Sequence, residues 1–131
     1  MPRIPYVERN AVTGDLKKLY DSFEAQFKTT GIPNVVKTLA NSADLATRVF
    51  PLASYFMTKS PLDRRLRELA VLILMKRLDC EYGFVRHIEI AKHTGISRQQ
   101  IDAIGDYQNS SLFNDDDKLI LRYADELTTK A

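Results

Sequence analysis

The chain of 131 residues has one cysteine, two histidines and no tryptophan. A single cysteine excludes an internal disulfide and is typical of proteins of the reducing cytoplasm. The net charge of +2 is too small to indicate a polyanionic partner. Because residues 1–10 lack an apolar signal-peptide core and no segment has the roughly 20 apolar residues of a membrane span, we expect a cytoplasmic protein without membrane contact.

Runs of alternating apolar and polar residues are also lacking, whereas helical spacing recurs along the whole chain. The chain has 44% hydrophobic residues and, at 131 residues, is long enough to form a hydrophobic core. We therefore predict an all-α fold, a single-domain helical bundle over residues 1–131. Prolines at positions 2 and 5 make residues 1–12 an extended N-terminal arm whose apolar side chains should pack on a neighbouring surface.

Several helices follow from apolar spacing and capping residues. The spacing predicts helices over 14–27, with Phe27 on the apolar face, over 34–39 and over 42–57, where Pro51 should kink or divide the helix. Ser97 and Gln100 form a predicted capping box for a helix through residue 104. Asp115 should cap a final helix with one apolar stripe, formed by Leu119, Ile120, Tyr123, Ala124 and Leu127.

The longest apolar run, residues 69–75, predicts a buried central helix opened by Ser60 and Pro61. Glu68 lies at the start of this run, where a carboxylate needs an arginine or histidine partner. A second helix should follow, with Asp79 as its N-cap and Cys80 at its first position, and it should end at Gly95. The helix dipole there stabilises a thiolate, which makes Cys80 a candidate nucleophile, although a lone cysteine is more often a small buried hydrophobe.

His87 shares a helical face with Cys80 but lies seven residues away, roughly 10 Å at 1.5 Å per residue, too far for a hydrogen bond. The position between them on that face is Gly83. A glycine inside a helix costs about 1 kcal/mol relative to alanine. Gly83 therefore indicates either close packing by another helix or a space for a ligand beside Cys80 and His87.

The frame RLRELAVL...DCEYGFVRHIEIAKHTGIS, with Glu68, Cys80 and His87, resembles the carboxymuconolactone decarboxylase and alkylhydroperoxidase D-like superfamily. The segments GIPNVVKTLANS and DKLILRYADEL extend the resemblance over most of the chain. It implies an alkylhydroperoxidase D-like helical bundle that assembles as a trimer or hexamer. In the peroxidase branch a second cysteine falls on the position of Gly83, so a disulfide relay within the site is impossible here.

The decarboxylase branch does not need the cysteines, and this chain is similar to relatives with the run formed here by Glu81, Tyr82, Phe84 and His87. The resemblance implies acid–base, lyase-type chemistry on a small organic acid or lactone. His87 would be the general base or acid, Glu68 would orient it, and Tyr82 would donate to a developing oxyanion. Cys80 would line the pocket. Substrate would contact Arg64, Arg67, Gly83 and Phe84.

Three alternatives stay open at this point. Cys80 could act as a one-cysteine hydroperoxide reductase, with its sulfenate reduced by an outside thiol, or the chain could be a non-catalytic oligomeric binding protein. The run IAKHTGISRQQIDAI also has the spacing of a helix-turn-helix, but acidic residues follow Arg98, so nucleic-acid binding is not expected. No cofactor is implied, and no metal is expected because two histidines and one cysteine lack ligand spacing.

Overall fold

In a computed structural model, residues 3–26 and 31–130 are described, and they form helices without any β-strand. The predicted all-α fold is confirmed. The helices are α1 (Gly14–Gln26), α2 (Asn34–Leu39), α3 (Ala43–Thr58), α4 (Arg64–Arg77), α5 (Glu81–His93), α6 (Arg98–Ala103) and α7 (Asp115–Lys130). Short 3-10 helices span Arg9–Ala11 and Ile104–Asp106. Of the described helices, none is long and apolar enough to cross a membrane.

The chain divides into two compact units, Met1–Ser60 and Pro61–Ala131. The organisation of residues 1–131 as a single domain stays a prediction. In the first unit, α1, α2 and α3 enclose a small core that includes Tyr20 and Phe50. The Tyr20 hydroxyl donates to the Val7 carbonyl at 2.6 Å, which ties the N-terminal arm to this core. Pro51 leaves α3 undivided, and Phe27 lies outside the described residues.

In the second unit, α4 packs against both α5 and α7, as a central helix should. Its fully buried residues are Glu68, Leu69, Leu72 and Ile73. The core is completed by apolar side chains of α5, α6, the second 3-10 helix, the loop before α7, and α7. The predicted central helix is thus confirmed, and it holds the one buried carboxylate that the sequence analysis singled out.

The predicted starts of α4 and α7 are wrong by one to a few residues. α4 is capped by Asp63 instead of Ser60, because the Asp63 carboxylate accepts hydrogen bonds from the backbone N–H groups of Arg65 and Leu66. α7 is capped by Asn114 instead of Asp115: the Asn114 side chain accepts from the Asp117 N–H at 2.9 Å. The Asp117 carboxylate returns the contact by accepting from the Asn114 N–H at 3.3 Å. By contrast, the predicted Ser97–Gln100 capping box is present.

The predicted apolar stripe of α7 is also wrong in part. α7 buries Asp117, Leu121 and Ala124, whereas Leu119, Tyr123 and Leu127 remain 58 to 63% exposed. The physical reason is a pair of contacts between Asp117 and the guanidinium of Arg65 on α4, one of them 2.9 Å long. This buried ion pair turns the Asp117 face of α7 inward, so part of the apolar surface faces out.

Candidate active site

The candidate site is built on the antiparallel pair α4 and α5 and the tight turn that joins them. At the end of α4 the Cys80 N–H donates to the Met75 carbonyl at 2.9 Å, and the Asp79 N–H donates to the Lys76 carbonyl at 3.4 Å. This is the hydrogen-bond pattern of a Schellman motif. Asp79 takes the left-handed position of that motif, with φ of 49°, where glycine is usual.

The turn corrects the predicted start of α5. An N-cap residue needs an extended-type backbone, so Asp79 at positive φ cannot cap α5. Cys80 is the N-cap instead of the first helical residue, and its carbonyl accepts the first helical bond, from the Phe84 N–H at 2.9 Å. The Cys80 side chain makes no capping hydrogen bond. The thiol therefore lies beside the N-terminus of α5 without being held by its N–H groups.

Glu68 and His87 form the polar centre of the site. The Glu68 side chain is completely buried in α4, and its Oε2 lies 2.8 Å from Nδ1 of His87 in α5. The His87 side chain keeps 21% of its surface exposed. Glu68 and the histidine that it was expected to orient are therefore in direct contact, with the carboxylate inside and the imidazole at the boundary with solvent.

This contact selects one form of the histidine ring. An ionised carboxylate can only accept hydrogen bonds, so the ring nitrogen that faces Glu68 must carry the hydrogen. In the neutral imidazole, Nδ1 is then the donor and Nε2 is the free base. A carboxylate behind a histidine also stabilises the imidazolium that forms when Nε2 takes a proton. The arrangement is therefore suited to general base and general acid chemistry at Nε2.

The second oxygen of Glu68 is unusual. Oε1 is buried and receives no hydrogen bond from residues 3–26 and 31–130. The Nε atom of Arg67, whose side chain is only 12% exposed, lies 3.9 Å from it and contributes charge. A buried carboxylate oxygen without a donor is costly, about 1–3 kcal/mol, and a native protein keeps such a group mostly at functional sites.

The three arginines of the run RRLR, residues 64–67, have different environments. Arg64 is exposed. Arg65 is bound to Asp117, and this hydrogen bond raises the pKa of Arg65 above its usual value. Arg67 lies beside Glu68. Contact between substrate and Arg64 or Arg67 stays a prediction, but only Arg67 is placed next to the polar centre.

Cys80 opens on a cavity of about 300 Å³, which is also lined by Met75, Lys76, Asp79, Glu81 and Phe84. A Cβ atom at Gly83 would lie 2.5 Å from the Met75 sulfur and 3.1 Å from the Cys80 sulfur. The space beside Gly83 is therefore filled by a side chain of α4, which confirms close helix packing as one reason for this glycine. Periodicity places Met75 on the central helix, but it does not specify which residue of the neighbouring helix contacts Met75, so the contact with Gly83 was not predicted.

The predicted site residues thus fall into two groups. Glu68, His87 and Arg67 form one, and Cys80, Gly83 and Phe84 form the other. Among the described residues, no hydrogen bond joins Cys80 to His87. Tyr82 lies in the first turn of α5 and is half exposed, and its role as an oxyanion donor stays a prediction. No cluster of three or more potential metal ligands occurs in the described part of the chain.

The segment that contains the candidate site matches a known protein family. Residues 43–107 match the Carboxymuconolactone decarboxylase family. The chain belongs to that family through this segment. The segment includes all of α4 and α5 and therefore every residue of the two groups, in agreement with the resemblance of the central motif. Neither the curated proteins nor the solved structures gave a match, so the comparison rests on the family match.

Proposed function

We propose that this member of the carboxymuconolactone decarboxylase family is an enzyme that moves protons on a small organic acid or lactone, with His87 and Glu68 as the acting pair. The observation that carries this proposal is the 2.8 Å contact between a fully buried carboxylate and a partly exposed imidazole. A purely structural ion pair would have no need for an open ring edge. The second, buried oxygen of Glu68 supports the same reading.

In the proposed reaction, Nε2 of His87 takes the acid proton of the carboxyl group that is lost, and Glu68 stabilises the resulting imidazolium. For a lactone acid, the bond to the carboxylate carbon breaks, carbon dioxide leaves, and the electron pair passes into the conjugated lactone. The imidazolium then returns the proton to carbon. No oxidant or reductant is consumed. Such acid–base assistance is worth about 10²- to 10⁴-fold in rate.

Arg67 is the proposed contact for the substrate's carboxylate, because its planar guanidinium suits that group. It lies within 3.9 Å of Glu68, so a bound anion would be held close to the reacting pair. Arg64, one turn earlier and exposed, is the proposed contact at the entrance. Arg67→Lys keeps the charge but removes the planar fork, and should therefore raise KM more than it lowers kcat.

Incubation with carboxymuconolactone in D2O tests the proposal, with carbon dioxide release and deuterium incorporation followed together. His87→Gln and Glu68→Gln should each lower the rate at least 100-fold. Cys80→Ser is the matched control, because it changes the N-cap residue of α5 without touching the pair, and it should stay within threefold of the wild type. Full activity of both pair variants, or loss of activity in Cys80→Ser, would contradict the proposal.

A second candidate function rests on the cavity of about 300 Å³ at Cys80. Here the thiolate attacks one oxygen of a hydroperoxide, the O–O bond breaks, and an alcohol leaves once protonated. The sulfur becomes a sulfenate, which an outside thiol reduces in two steps with loss of water. Because Cys80 is the only cysteine of the chain, the reductant must be external.

The hydroperoxide reductase activity of Cys80 can be tested separately. If it is the function, dilute hydroperoxide should convert Cys80 to a sulfenate that dimedone traps, turnover should require an added thiol, and Cys80→Ser should abolish it. Turnover of neither substrate class, together with tight binding of a small organic acid, would favour a non-catalytic oligomeric binding protein.

A further inference from the structure

The last helix, α7, carries a second apolar stripe that faces away from the core. Leu119, Tyr123 and Leu127 recur every four residues, so they lie on one side of the helix. Their exposed fractions are 58, 63 and 58%. An exposed apolar row of this length on one helix is the kind of surface that marks a protein contact.

A groove lies alongside this stripe. It has a volume of about 380 Å³ and is lined by Leu62, Leu66, Asp116, Leu119, Ile120 and Tyr123. Its walls are mostly apolar, and Asp116 supplies a charge at its rim. A groove with this lining suits an apolar or aromatic side chain from another helix.

The order of residues along the stripe is that of a helix that can pair with a copy of itself. Leu119 and Leu127 lie four positions before and four positions after Tyr123. Asp116 and Lys130 lie seven positions before and seven after it, on the same side of the helix. The stripe is therefore symmetric about Tyr123 in size, polarity and, with opposite sign, in charge.

We propose that α7 packs antiparallel against α7 of a second copy of this chain, across a twofold axis at Tyr123. In that arrangement Leu119 of each copy faces Leu127 of the other, as an isologous contact requires. Asp116 of each copy faces Lys130 of the other, and the aromatic ring of each Tyr123 enters the groove of the other copy. The antiparallel helix dipoles add to the attraction.

The charges fit this pairing. Asp116 and Lys130 are both exposed, and Lys130 already lies 3.3 Å from Glu126 in its own chain. Across the axis, Asp116 of the second copy would extend this pair to a three-residue network. A parallel pairing would instead oppose Asp116 to Asp116 and Lys130 to Lys130, so the charges select the antiparallel arrangement.

Charge reversal tests the proposal in the full chain. Asp116→Lys and Lys130→Asp should each weaken dimerisation about tenfold in sedimentation velocity, because each affects two contacts per dimer. The double variant should return to within threefold of the wild type. Glu89→Lys makes the same change of charge at an exposed position of α5, away from the stripe, and is the control that should have little effect. Failure of the double variant to recover dimerisation, or a monomeric or purely trimeric wild type, would overturn the proposal.

Cross-linking tests the axis itself. In a Cys80→Ser background, Tyr123→Cys places two thiols beside each other at the axis, and a short bis-maleimide should join them. Thr129→Cys is the comparison, because Thr129 is exposed as well. Two cysteines at position 129 would be about 18 Å apart along antiparallel helices. The proposal predicts at least tenfold faster cross-linking at position 123. Equal rates at the two positions, or none at either, would contradict it.

Discussion

Nδ1 of His87 lies 2.8 Å from the buried carboxylate of Glu68, although the two residues are 19 positions apart in the sequence. The contact exists because a three-residue turn brings α5 back along α4. It joins a group that can accept a proton from solvent or substrate to a group that water cannot reach. Most of what we propose for this protein depends on that contact.

The packing of Met75 against Gly83 predicts a change of sign in a double-mutant cycle. In the wild type, Gly83→Ala should lower the free energy of unfolding by about 1 kcal/mol, because the new Cβ displaces the Met75 sulfur, which lies 2.5 Å from its place. In a Met75→Ala background, the same change should raise it by about 1 kcal/mol through helix propensity. Urea unfolding measures both. An equal effect in the two backgrounds would show that Met75 does not occupy this space.

The ion pair between Arg65 and Asp117 should be important for stability. Asp117 is buried, contacts Arg65 at 2.9 Å, and accepts from the Asn114 N–H. Asp117→Asn leaves a partly buried guanidinium without its counter-charge, and should cost about 3 kcal/mol in urea unfolding. Asp115→Asn, an exposed neighbour in the same turn, should change stability by less than about 0.5 kcal/mol. Similar losses in the two variants would contradict the importance of the pair.

The pair between Arg77 and Asp125 should make stability depend on pH. The Arg77 guanidinium donates to both oxygens of Asp125, at 2.6 and 2.7 Å, and this contact lowers the pKa of Asp125 below its usual value. A carboxylate with a lowered pKa in the folded state stabilises at pH above its unfolded value, near 4. This stabilisation is lost as the pH falls through the folded pKa.

Asp125→Asn should therefore reduce the free energy of unfolding by about 1–2 kcal/mol at pH 7 and progressively less below pH 4. Asp44→Asn is the control, since the pair of Asp44 with Arg48 is highly exposed, and it should change little at any pH. A cost of Asp125→Asn that stays constant down to pH 2 would contradict this linkage.

Part of this structure could be predicted from the sequence because it depends on short local patterns of residues. The apolar run of residues 69–75 requires burial, and the capping box of Ser97 and Gln100 has a well-defined pattern. That Glu68 has a partner could be anticipated, because a carboxylate in an apolar run needs an arginine or a histidine beside it; that the partner is His87 was implied by the family resemblance. Each of these features follows from a local pattern or from one strong physical requirement.

Other features depend on contacts that periodicity does not specify. Asp79 adopts the left-handed conformation that the end of α4 requires, which few non-glycine residues do, so Cys80 shifts from the first helical position to the N-cap. On α7, Leu119 and Leu121 are both apolar, and the buried one is Leu121, one turn after the Asp117 that contacts Arg65. Such pairs join residues 52 positions apart, and a single sequence gives no sign of them.

We propose that Glu68 holds His87 in the form with hydrogen on Nδ1 and a free base at Nε2. Long-range ¹⁵N–¹H NMR of labelled protein near pH 8 tests this directly, with the resonances of His87 assigned by comparison with His93→Gln. We expect a protonated Nδ1 and an unprotonated Nε2 in the wild type, and a mixture of the two forms in Glu68→Gln. Hydrogen on Nε2 of His87 in the wild type would contradict the claim, because no base would then face the substrate.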